Sequence, residues 1–123
     1  MSKMRVKFTI GDVEVFARLN EGPTARKIVA ALPLQGGGNY WGEEFYFSAP
    51  VRAVYEPGAS DVVEPGTVAF WVEGSCVCLF WGPTPVSRGQ ECRAASKVNV
   101  IGQVESLESL RGLRGRSFRL ELA

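Results

Sequence analysis

The stretch SCVCLFW, Ser75 to Trp81, carries no polar side chain after its first residue. Side chains on a strand alternate between two faces. Cys76, Cys78 and Phe80 therefore share one face, and Val77, Leu79 and Trp81 the other. A strand apolar on both faces has to be covered on both sides, as when a helix caps one face of a closed sheet. Its neighbours read as strands too. VEPGTVAFWV precedes it across a tight turn at Glu73-Gly74-Ser75, and KVNVIGQV follows it. Between them, FWGPTP opens a loop with two X-Pro bonds, a rigid turn that a cis proline would suit. Such a loop can also wall a binding site.

Working outward, MRVKFTI places Met4, Val6, Phe8 and Ile10 opposite Arg5, Lys7 and Thr9. After Gly11-Asp12 the pattern repeats with Val13, Val15, Ala17 and Leu19, which predicts a β-hairpin. Thr24 reads as a helix N-cap, and ARKIVAAL sets Ala25, Ile28, Val29 and Leu32 at helical spacing before Pro33 ends the helix. WGEEFYF and VRAVY are further strand candidates. SLESL is a short helical turn, and SFRLEL a last strand with Phe118, Leu120 and Leu122 inward. About eight short strands are enough for a small barrel filled by its own side chains. The expected fold is mostly β: a closed eight-stranded antiparallel barrel with one main helix and a short second helix.

A chain of 123 residues suits a single domain, here taken as residues 1–123. With 14 basic and 13 acidic residues it has no net field to attract nucleic acid or an anionic membrane, so neither is expected as a partner. No apolar run reaches the roughly 20 residues of a membrane span, and the N-terminal residues alternate instead of forming a leader. A cytoplasmic location is expected. Cys76, Cys78 and Cys92 are too few for a disulfide framework and read as two buried small residues plus a loop thiol. Histidine is absent, which removes imidazole catalysis and most zinc chemistry. No metal and no cofactor are expected. Gln35-Gly36-Gly37-Gly38 lacks the Lys-Ser/Thr of a phosphate loop and reads as a flexible connection or lid. Arg111, Arg114, Arg116 and Arg119, interleaved with Glu105, Glu108 and Glu121, read as solvated surface.

WGEEFYF, Trp41 to Phe47, is where function is sought. On a regular strand Trp41, Glu43, Phe45 and Phe47 share one face, and Gly42, Glu44 and Tyr46 the other. Whichever face is inward, a glutamate goes in with aromatics, at a cost of several kcal/mol unless it is paired or protonated. It is then either a structural carboxylate or the polar anchor of a ligand pocket. The pocket reading has walls from Trp41, Tyr46, Trp71 and Phe80, an anchor in Glu43 or Glu44, and Asn99 as a further polar candidate that can equally satisfy a loop backbone. The ligand would be a small molecule or a peptide segment. A second carboxylate would have to come from elsewhere, with Glu64 and Glu73 as possible partners. Exposed Trp or Tyr could equally serve a homodimer interface.

PTARKIVAAL, WGEEFYF, PGTVAFW, CLFWGPTP and VNVIGQVESLESL, in that order, resemble a small prokaryotic family described as cyclophilin-like, over about residues 4 to 122. The resemblance implies the cyclophilin barrel. It implies less about activity, because cyclophilins rotate X-Pro bonds, against a barrier of ~18–20 kcal/mol, with an arginine that ends a Phe-His-Arg tripeptide. The corresponding strand here reads Glu44-Phe45-Tyr46-Phe47, and Arg52 lies beyond Pro50. Three functions stay open: a binding protein, a prolyl isomerase without the usual arginine, and a small enzyme using a glutamate as acid or base.

Overall fold

Alternating side chains and tight turns fold this chain into antiparallel ladders, and the computed structural model describes residues 4–123. The strands are β1 (Met4–Ile10), β2 (Val13–Leu19), β3 (Leu34–Gly37), β4 (Asn39–Tyr40), β5 (Glu44–Ser48), β6 (Ser60–Val63), β7 (Thr67–Trp71), β8 (Cys76–Phe80), β9 (Cys92–Val104) and β10 (Ser117–Leu122). The helices are α1 (Pro23–Ala31) and α2 (Leu107–Arg111). The single mostly-β sheet with a main and a short helix agrees with the expected class. Its ten strands run in the order β3-β10-β1-β2-β9-β7-β8-β5-β4, with β6 paired to β9.

The sheet has ten strands where eight were expected, and its hydrogen-bonded path does not itself show the closure of a barrel. Its two end strands, β3 and β4, are halves of one segment joined at Gly38. Gly38 donates its N–H to the Arg116 carbonyl (2.7 Å), and a Cβ there would overlap the Phe45 ring and the Tyr46 carbonyl. The QGGG run is thus no lid. It is strand β3, paired with β10 from Leu34 to Gly37.

Val6, Phe8, Ile10, Val15, Phe45, Phe47, Phe70, Val77 and Leu79 fill the inner side of the sheet, with Ala25 and Ile28 of α1 and Leu110 of α2 packed among them. Phe47 stacks on Phe118 at 3.8 Å between ring centroids, tying β5 to β10 across the interior. Leu122, expected inward, is exposed. The two faces of β8 divide as the alternation requires. Val77 and Leu79 join the inner core, while Cys76, Cys78 and Phe80 join a second cluster with Val63, Ala69, Cys92, Ala94 and Val98. The cover on that second face is not a helix. It is β6 and the first half of β9, and Cys92 is a buried strand residue, not a loop thiol.

VRAVY forms no strand. Both edges of β5 are already taken, by β4 and β8, and the segment has no ladder to join. Side chains hold its backbone instead. Lys27 Nζ donates to the Arg52 carbonyl (2.8 Å), and Asn99 Nδ2 donates to the Val54 carbonyl (2.8 Å). The cap of α1 also comes from a distance: Gly22 occupies the N-cap position, and the Thr24 N–H donates to Glu56 Oε2 (3.0 Å). The cis peptide bond lies at Leu32–Pro33, not in FWGPTP.

Asn99 links these pieces. It is buried, it donates to Thr24 Oγ1 (3.0 Å) as well as to Val54, and its Oδ1 accepts the Glu56 N–H (2.9 Å). Asn99→Ala leaves three partners unbonded, Thr24 on α1 and Val54 and Glu56 in the loop before β6, so we expect a loss of about 2–3 kcal/mol. Urea unfolding should show a lower midpoint at unchanged slope.

Candidate functional site

Strand β5 turns Phe45 and Phe47 into the inner core, which sends Glu44 and Tyr46 to the outer face. Regular alternation would put Trp41 with Glu43. Gly42 breaks that alternation: its φ of +61° is open to glycine at little cost, and a Cβ there would stand 2.8 Å from the Pro83 carbonyl oxygen. The Trp41 N–H turns back to the Glu44 carbonyl (2.9 Å). Trp41 therefore joins Glu44 and Tyr46. Glu43 is left exposed, its N–H bonded to the Pro83 carbonyl (2.9 Å) and its carbonyl to the Trp81 N–H (3.0 Å). FWGPTP thus braces the turn that aims Trp41.

These residues surround a cavity of about 260 Å³. Trp41, Tyr46 and Trp71 wall it, Glu44 and Cys78 lie within it, and Ala94, Ala95 and Val98 of β9 close the remaining side. Trp71 is pinned by a 2.6 Å hydrogen bond from its Nε1 to Ser96 Oγ. Of the seven candidates named from sequence, four line the cavity together: Trp41, Glu44, Tyr46 and Trp71. Phe80 is fully buried nearby without lining it, and Asn99 is occupied by its clamp. Cys78 and the β9 residues were missed. Cys78 was legible in principle, since it shares a face with Cys76 and Phe80; the β9 residues carried no signal.

Glu44 is only 5% exposed, and its Oε1 has no hydrogen-bond partner. Burial pushes its carboxyl up to about 7, an effect that a hydrogen bond with the Cys78 thiol partly offsets. Burial, reinforced by Glu44, drives the Cys78 thiol well above its ordinary range. Cys92 is pushed up to about 11 by burial and then by the charges of Glu43, Glu64, Glu44 and Glu91. Glu73 is occupied elsewhere, accepting from the Tyr55 hydroxyl (2.9 Å). No arginine or lysine lines the cavity, and Arg52 borders two other clefts. Among the described residues no group of three or more Cys, Asp or Glu is placed to hold a metal ion, and no helix is long and apolar enough to cross a membrane.

The model of the cyclophilin-like family matches residues 4–116. The chain belongs to that family. A hypothetical protein of Archaeoglobus fulgidus, known from its solution structure, is similar at 39% identity with a TM-score of 0.83. The match covers 98% of this chain and 95% of that one. No curated protein matches.

The Glu44 shift sets a pH dependence for this cyclophilin-like protein. Its folded value of about 7 lies above the ordinary 4.5, so between these limits the native state binds more protons than the unfolded chain. Stability therefore falls as pH rises through that window, by roughly 3 kcal/mol in all. There is no histidine to titrate there. Glu91, held at about 2 by the Arg88 N–H and by Arg93, acts below the window and in the opposite sense. Glu44→Gln should flatten the decline between pH 5 and 8 in melting curves, and an unchanged slope would show that Glu44 does not cause it.

Proposed function

We propose that this cyclophilin-like protein binds a small molecule in the cavity beside Trp41, with Glu44 as the polar anchor. The observation that carries the reading is the Glu44 Oε1, buried among aromatic rings with no partner in the protein. A buried polar atom left unsatisfied costs about 1–3 kcal/mol, and folded proteins leave few of them. A ligand that donates to this carboxyl, or sets a positive charge against it, would recover that energy. Mostly apolar walls with one placed polar group are the usual composition of a small-molecule site. The volume, just under the ~300–1,000 Å³ of drug-sized sites, favours a small molecule over a peptide segment.

The raised pKa of Glu44 favours a second reading, in which the same carboxyl takes or gives a proton on the bound molecule near neutral pH. Prolyl isomerisation has less support, because the lining lacks an arginine to bond a twisted amide.

Thermal melting against a panel of small molecules tests the binding reading. A true ligand at a hundredfold excess over Kd stabilises by about 2.7 kcal/mol, on the order of 10 °C for a domain of this size. Trp41→Ala should abolish that shift while the protein still melts cooperatively. A shift that survives the substitution places the ligand elsewhere.

A further inference from the structure

Resting on the binding reading above, we infer that the cavity takes a small alkylated ammonium cation, held between the faces of Trp41, Tyr46 and Trp71 and against the Glu44 carboxylate. Aromatic faces carry negative potential and attract cations, tryptophan most strongly. Three rings converge here on one cavity, and Glu44, whose Oε1 has no hydrogen-bond partner, is the one carboxyl group in its lining. No basic side chain lines it. Glu43, Glu64 and Glu91 add to the negative field that Glu44 exerts on Cys92 in the same cluster. Two basic residues flank the β9 wall: Arg93 is committed to Glu91 (2.9 Å) and Asp61 (3.1 Å), and Lys97 is exposed and outside the lining. An anion would meet the Glu44 carboxylate with no arginine or lysine in the lining to offset the repulsion.

The same lining selects among cations. A primary ammonium carries three donors and needs as many acceptors, and calcium needs six to eight oxygens. This cavity offers a single carboxyl group among mostly apolar walls. An alkylated ammonium has little or no hydrogen bonding to lose, and its methyl groups pack on rings. Binding would also draw the Glu44 proton off, because the ionised carboxyl is the form that the cation stabilises.

Calorimetric titration with choline, with dimethylbutanol (the same skeleton with carbon in place of nitrogen) and with ethanolamine tests the inference. Choline is expected to bind about tenfold tighter than either. Glu44→Gln should remove that preference, bringing choline down to the affinity of dimethylbutanol. Should Glu44→Gln fail to fold, Trp41→Phe weakens the cation–ring attraction while keeping an apolar wall. It should weaken choline several-fold and dimethylbutanol little. Equal or tighter binding of dimethylbutanol overturns the cation and leaves the small-molecule pocket standing. The same holds if none of the three binds but the melting panel yields another ligand that depends on Trp41. If no compound of any charge depends on Trp41, both readings fall together.

Discussion

Strand β8 buries both of its faces, and the rest of the molecule is arranged to make that possible. Five consecutive residues, Cys76 to Phe80, are shielded from water, so apolar material must stand on both sides of one sheet. At about 25 cal/mol per Å² of apolar surface, leaving either face wet would forfeit several kcal/mol. The inner side is filled by the curled sheet and its helices. The outer side is met by β6 and by β9, which at 13 residues is the longest strand. Its second half pairs β7 and β2, while its first half leaves them to pair β6 and cover Cys78 and Phe80. The cavity lies where that cover meets the aromatic side chains of β5 and β7.

A second constraint holds the loops between strands. Asn99 on β9, Glu56 in the loop before β6 and Thr24 on α1 exchange hydrogen bonds in one buried knot. The knot satisfies the helix N-terminus, which has no side-chain cap of its own and no acidic residue in its first turn. Charge-assisted bonds of this kind are stronger than neutral ones, so a glutamate far along the chain can replace a local cap. Surface ion pairs such as Arg5–Glu105 and Arg111–Glu108 are of the exposed kind that contribute little.

Against this background Glu44 stands out as a cost. An aliphatic residue at its position would fit the outer cluster without a desolvated carboxyl. The protein is less stable for keeping it, above all once the carboxyl ionises. Function is where a fold tolerates a residue that stability disfavours. Turn geometry points the same way: the Gly42 bend and the FWGPTP brace bring Trp41 over a carboxyl that a regular strand would have kept from it.

The hairpin, the two-faced strand β8, the main helix and the mostly-β class were legible in the residues, because period-two and period-3.6 alternation are local properties of the chain; the cyclophilin-like family was legible only as a resemblance of whole motifs. So was the conflict in WGEEFYF, since any strand register buries one glutamate. Which glutamate, and with which tryptophan, was not legible. That depended on Gly42 adopting a left-handed turn against Pro83, a contact between segments about forty residues apart in sequence. The failure of VRAVY to become a strand and the count of ten strands where eight were expected have the same origin: pairing depends on which edges other segments have already occupied. Alternation along the chain determined which side chains share a face. Only tertiary packing decided what lies opposite them, because contact across a fold is set by the competition of distant segments for the same edge and the same space.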